Sequence, residues 1–135
     1  MTSIKEHLET AKILEEELEE KLRKNDAVRA QKIVGFAASE AATNLFAALL
    51  HKKKLISEGF NVNHLFFSSQ KQAELRFDLD LPEKTTLLTL LVKQEGFREK
   101  LCYGRQKDEK IVLSAIENFY KIKELLEKNM GVSSG

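Results

Sequence analysis

The sequence predicts an all-α protein, an up-and-down bundle of about five helices. Three observations lead to this fold class. The 135 residues include one proline and six glycines, which favours helices over a turn-rich sheet. Apolar residues recur at steps of three and four along most of the chain, the period of an amphipathic helix. The segment 33–50 contains only four polar residues, so we expect a central helix that the others enclose.

Length and composition predict a single domain over 1–130, followed by a flexible tail at 131–135. A net charge of +1 gives no overall attraction to nucleic acid or membrane, so any basic binding surface must be local. The single cysteine, Cys102, excludes an internal disulfide and fits a reducing compartment. The first residues lack the apolar core of a signal peptide, and we therefore expect a cytoplasmic protein.

The first helix is predicted from Ser3, which has capping-box spacing with Glu6, to a break at Asn25 and Asp26. One face carries a run of glutamates, which we interpret as a solvated surface, with an acidic docking face as the alternative. The opposite face is a narrow apolar seam of Ile4, Leu8, Ala11, Leu14 or Glu15, Leu18 and Leu22.

The central helix is predicted to begin with Asp26 as its N-cap and to run to about Ser57. Gly59 is placed to end it in the left-handed conformation. The apolar segment is nearly long enough to cross a membrane, but Glu40 and Asn44 in its middle make a span costly. We therefore expect a buried helix of a bundle and no membrane partner.

The region after the central helix fits two structures. Apolar and polar residues alternate over 75–81, as in a half-buried strand, and a turn at Pro82 would pair this strand with the next apolar run. Asp80 and Glu83, however, have capping-box spacing, and a proline suits the first turn of a helix. We favour a helix, a short extended linker and another helix. The alternative is an α+β fold with a short hairpin at 75–92.

Gly104 is expected to end the fourth helix, and Asp108 is the predicted N-cap of the last one. The last helix has charged residues between its apolar positions, as expected for a helix packed on one side. Its predicted core stripe is Val112, Ala115, Ile116, Phe119, Ile122, Leu125 and Leu126.

The sequence contains no motif for metal or cofactor chemistry. Its three histidines, His7, His51 and His64, lack the spacing of metal ligands, and no cysteine or carboxylate joins them in a recognisable set. There is no Walker loop, no dinucleotide-binding glycine motif and no Gly-x-Ser-x-Gly. We therefore predict no cofactor and no metal site.

Three segments follow a pattern known from one family: GFAASEAATNLFAALLHKKKLISEGF, NVNHLFF and REKLCYGRQKDEKIVLSAIENFYKIKELL. Together, over residues 30–128, they resemble the HEPN group, the higher eukaryote and prokaryote nucleotide-binding domains, in the small stand-alone prokaryotic form. The resemblance implies a long helical bundle that forms a homodimer. It also implies a toxin–antitoxin setting, with a small nucleotidyltransferase as a possible partner.

The resemblance draws attention to Arg98. Ribonucleases of the HEPN group carry an arginine that steadies the scissile phosphate and, four to six residues later, a histidine that moves the proton. No arginine in this sequence is followed by such a histidine, and Tyr103 stands in that position after Arg98. A phenol is a poor base at neutral pH, so the departure argues against catalysis.

The resemblance implies ligand binding by residues at one helix end. The candidate ligand-binding residues are Arg98, Lys100, Tyr103 and Arg105, together with His64. Arg98 has an alternative role, an ion pair with an acidic residue across the bundle, and His64 has a structural one.

Three functions follow as hypotheses. The leading one is a non-catalytic HEPN-like helical protein that binds a nucleotide, an RNA or a protein partner such as a nucleotidyltransferase. The second is a metal-independent ribonuclease that uses Arg98 with Tyr103 or with a displaced histidine such as His64. The third is a purely structural or regulatory interaction protein, which would share the fold and differ in its site.

Overall fold

The computed structural model describes residues 4–131, and within this range the chain is entirely helical, without a strand. The predicted all-α fold is therefore confirmed. A short 3₁₀ turn, His64–Phe67, lies between the second and third helices. The α-helices are α1, Ile4–Arg23; α2, Gln31–Lys52; α3, Gln70–Arg76; α4, Lys84–Cys102; and α5, Glu109–Asn129.

Helix α2 lies at the centre of the bundle, in contact with α1, α4 and α5. Its small residues allow close packing, above all at Gly35, where an added Cβ atom would lie 2.7 Å from Leu101 Cβ on α4. The expectation of an enclosed central helix is confirmed for most of its length. The exception is an outer stripe in its first half, where the side chains of Ile33 and Phe36 are 46 % and 40 % exposed.

Among the described helices, α2 is long and apolar enough to cross a membrane by length and composition. Most of its apolar window, 72 %, is buried inside the bundle. The core helix of a bundle passes the same test, so this property is weak support for a membrane span.

Both ends of α2 differ from the prediction. The helix begins at Gln31 instead of after Asp26, whose carboxylate is bound by Arg29 through two hydrogen bonds of 2.6 and 2.8 Å. It ends at Lys52, and the left-handed residue is Lys54, with φ 56°, so the role predicted for Gly59 is wrong. The amide of the next residue, Leu55, bonds back to α2 at 2.9 Å, which closes a Schellman motif before Gly59 is reached.

The apolar seam of α1 is covered less completely than predicted. Ala11 and Leu18 are buried, whereas Ile4, Leu8 and Leu22 are 36 to 40 % exposed. The physical reason is that α1 packs mainly against α2, so the edge of its seam faces solvent. The predicted cap Ser3 lies outside the described residues, but the break at residues 25 and 26 is confirmed because the first of them is left-handed, with φ 53°.

The hairpin alternative for 75–92 is wrong. The alternating segment divides between the end of α3, where Leu75 is 68 % exposed, and a linker whose Phe77 and Leu81 are buried in the core. The stretch is therefore a helix end followed by an extended linker, and no second strand pairs with it. Helix α4 begins at Lys84, and the residue before it, Glu83, is left-handed with φ 57°, so the cap predicted at Asp80 is also wrong.

A cluster of phenylalanines covers the C-terminal half of α2. The ring of Phe77 lies 5.0 Å from that of Phe46 on α2 and 5.5 Å from that of Phe67 in the 3₁₀ turn. Asn63 caps this turn by accepting the amide hydrogen of Leu65 at 2.8 Å. The segment between α2 and α4 is thus fixed onto the core by aromatic packing.

The predictions for the last two helices are confirmed within the described range. Gly104 is left-handed after α4, with φ 97°, and Asp108 caps α5 by accepting the amide hydrogen of Ile111 at 3.1 Å. The predicted core stripe of α5 is buried except for Leu125, which is half-buried. Of the predicted tail, residues 132–135 lie outside the described range.

Candidate functional site

Arg98 extends from α4 to the outer edge of α2 and forms an ion pair there. Its Nη1 atom donates to Glu40 Oε1 at 2.6 Å and to Ser39 Oγ at 3.3 Å, and its guanidinium lies 5.1 Å from the centre of the Phe36 ring. The side chain is 14 % exposed, and its Nε atom is buried without a partner among the described residues. Arg98 therefore pairs across the bundle, as one of its two predicted roles requires.

His64 pairs with a buried carboxylate. Its Nδ1 atom lies 2.9 Å from both oxygens of Glu95, and because a carboxylate accepts, Nδ1 carries the hydrogen. The Glu95 side chain is 5 % exposed and that of His64 is 24 % exposed. Among the described residues, His64 Nε2 has no hydrogen-bond partner, and it is not one of the fully buried unpaired atoms, so it is at least partly accessible.

The Arg98–Glu40 ion pair and the hydrogen-bonded pair of His64 and Glu95 involve neighbouring positions of α4. Glu95 and Arg98 are three residues apart, which places them on one face of the helix about 5–6 Å apart at their Cβ atoms. Neither Glu95 nor Glu40 was predicted from the sequence as a site residue. Glu40 did carry a signal, since it is the one charged residue of the apolar segment 33–50 and a carboxylate there needs a partner. Glu95 follows Lys93 and Gln94, so its burial could not be read from the local sequence.

The candidate residues at the end of α4 do not all converge. Lys100 lies two positions after Arg98, so its side chain points to a different face of the helix, where its Nζ is 6.0 Å from the Phe97 ring. Tyr103 is 68 % exposed just beyond the helix, and Arg105 is exposed in the loop to α5. Lys100 therefore does not join Arg98 on its face of α4, and the contacts of Arg98 described above are with Phe36, Ser39 and Glu40 on α2.

A buried glutamine, Gln31, fixes the loop that carries Tyr103 and Arg105. Its Nε2 atom donates to the carbonyls of Leu101 and Arg105, both at 3.1 Å. Its Oε1 atom accepts from Gln106 Nε2 at 2.7 Å and from the amide of residue 107 at 2.6 Å. All hydrogen-bonding groups of this amide are satisfied, so the loop between α4 and α5 is held against the first turn of α2. Gln31 was not predicted from the sequence as a site residue.

An open cleft of about 490 Å³ lies beside this loop, between the end of α1 and the first turn of α2. We call it the basic cleft because its lining includes three cationic residues. Lys21 is paired with Glu17 at 2.8 Å, whereas Lys32 has no ion pair among residues 4–131. The lining residues are Lys21, Arg29, Ala30, Gln31, Lys32, Ile33, Gly104 and Gln106.

The chemistry of the remaining side chains is limited. Burial raises the pKa of the Cys102 thiol, and its Sγ atom donates to the Lys32 carbonyl at 3.4 Å, so this cysteine is a weak nucleophile. Within residues 4–131, no group of three or more histidine, cysteine or carboxylate side chains is arranged to bind a metal ion.

Comparisons with models of protein families, with curated proteins and with solved structures find no match to this chain. The resemblance to the HEPN group therefore stands on the sequence segments that suggested it.

Proposed function

We propose that this protein is a non-catalytic HEPN-like helical protein that binds a nucleotide, an RNA or a protein partner such as a nucleotidyltransferase. The observation that carries the proposal is the engagement of Arg98. Its guanidinium is bound to Glu40 at 2.6 Å and stacked near Phe36, while Tyr103 occupies the position after it where HEPN ribonucleases carry a histidine. An arginine bound in this way stabilises the bundle, and the sequence after it has no histidine to act as a general acid or base.

The test is an activity and binding assay on the purified full chain. We expect no degradation of a single-stranded RNA, and a dimer by size-exclusion chromatography with light scattering. Cleavage of RNA that is lost in the Arg98→Ala variant would contradict the non-catalytic assignment. The Arg76→Ala variant is the matched control, because it removes an exposed arginine from α3.

A second candidate is favoured by the pair of His64 and Glu95. A buried carboxylate on Nδ1 fixes the tautomer of the imidazole and leaves Nε2 as its basic nitrogen, on a side chain that is 24 % exposed. Beside Arg98, this arrangement fits general acid–base cleavage of a phosphodiester without a metal. This candidate requires cleavage that His64→Gln abolishes and Glu95→Gln strongly reduces, whereas His51→Gln, on another face, leaves it unchanged.

A further inference from the structure

We propose that the basic cleft binds a mononucleotide, with its phosphate groups on the cationic side chains and its base on an apolar side chain. This inference rests on the proposed function, since it names one ligand class among those the protein would bind. It assigns the ligand to residues other than the candidates of the sequence analysis. The volume of the cleft, its charges and its apolar wall support this assignment.

The size of the cleft fits a small ligand. Pockets for small molecules and cofactors measure about 300–1,000 Å³, and the basic cleft, at about 490 Å³, lies inside this range. A nucleic acid strand would need an extended groove several nucleotides long. The cleft is bounded by only three short chain segments, the end of α1, the first turn of α2 and the loop after α4, and this small extent favours a mononucleotide over RNA.

The charges of the cleft favour phosphate. Lys32 has no ion pair among the described residues and can contribute its full charge. Arg29 is bound by Asp26 on the solvent side, with Arg29 82 % exposed, so its planar donor group can exchange the carboxylate for a phosphate at little cost. Lys21 is paired with Glu17 and adds less. The first turn of α2, which has no side-chain cap, adds the positive end of its dipole.

The wall of the cleft also has a place for a base. Ile33, 46 % exposed, lines the cleft next to Lys32 and offers an apolar surface at its rim. The side-chain amide of Gln106 also lines the cleft, but its nitrogen already donates to Gln31 at 2.7 Å and to the carbonyl of residue 28 at the same distance. We therefore assign the phosphates to the cations and the base to the apolar contact with Ile33.

The experiment is a titration of the full chain with a fluorescent ATP analogue, with inorganic pyrophosphate as competitor. We expect saturable binding that pyrophosphate reverses and that salt weakens. Lys32→Ala and Arg29→Ala should each weaken binding by about tenfold or more, the value of one charge-assisted hydrogen bond. Lys53→Ala is the matched control, since it removes an exposed lysine just past the opposite end of α2, and it should change binding by less than about twofold.

Each other outcome would overturn the inference. Absence of saturable binding, or binding that neither cleft variant changes, would exclude the basic cleft as a nucleotide site. If an oligoribonucleotide or a protein partner binds with the cleft variants unimpaired, the inference fails and the proposed function stands. If the chain binds no nucleotide, no RNA and no protein partner, the proposed function fails as well.

Discussion

The close approach of α2 to α4 makes Gly35 a sensitive position. A Cβ atom added there would lie 2.7 Å from Leu101 Cβ and 3.2 Å from Cys102 Sγ. Ordinary contacts between carbon atoms are about 3.5–4.0 Å, so the two helices would have to separate by about 1 Å. Leu101 is fully buried and its Cβ is fixed to the backbone, so α4 itself must move.

The Gly35→Ala variant should therefore be less stable than the parent protein. Overpacking costs about 1–3 kcal/mol, and this contact belongs to the upper part of that range. Replacing a helical glycine by alanine returns about 1 kcal/mol through helix propensity. The net loss in the free energy of unfolding is about 1–2 kcal/mol, which corresponds to a fall of about 4–8 °C in Tm.

The assay is urea unfolding followed by circular dichroism, with Gly96→Ala as the matched control. Gly96 is also inside a helix, α4, but an added Cβ there meets no atom within 4 Å. This control should gain about 0.5–1 kcal/mol from propensity. If Gly35→Ala is as stable as Gly96→Ala, the packing of α2 against α4 is looser than described and the reasoning is refuted.

Three further predictions concern individual ionisable groups. Glu40→Ala should lower the free energy of unfolding by about 1–2 kcal/mol because it leaves the partly buried Arg98 charge unpaired, and a double-mutant cycle with Arg98→Ala should recover part of this loss. Burial and a neighbouring histidine charge lower the pKa of His51, so stability is full above the ordinary value of 6.5 and falls as pH decreases below it; His51→Gln should flatten this dependence in pH-dependent unfolding. Burial and nearby glutamates raise the pKa of Tyr120 to about 12, so the stability from its neutral form is present below pH 10 and lost as pH rises toward 12. In the Tyr103→Phe variant, Tyr120 is the one remaining tyrosine, and an absorbance titration should show it ionising at a pH near 12. Ionisation at a pH near 10 would contradict the burial of Tyr120.

The local sequence was sufficient to predict a helix end where the residues at that end determine its structure. Asn25 and Asp108 were found because a short polar side chain tolerates the left-handed conformation or caps a helix without help from distant residues. The end of α2 was missed for the opposite reason. Lys54 is left-handed although glycine would be favoured, because the Schellman bonds place Leu55 against the core. Tertiary packing decided that turn against the local preference.

The candidate site was predictable in part. Arg98 was chosen by resemblance, but its partner, Glu40, is 58 positions away and is set by the antiparallel register of α2 and α4. The basic cleft was not predicted, because Lys21, Arg29 and Gly104 come from three parts of the chain. The spacing of these residues in the sequence does not indicate that they lie together in the fold.

Gln31 couples the start of α2 to the loop between α4 and α5. Its amide makes two donations and two acceptances with a segment some 70 to 76 positions later, so the start of α2 cannot fray unless that segment is released. A carboxylate of the same shape could not replace it, since two carbonyls would then face an acceptor. The amide proton of Lys107, which is bound to Gln31, should accordingly exchange with solvent only when the start of α2 opens.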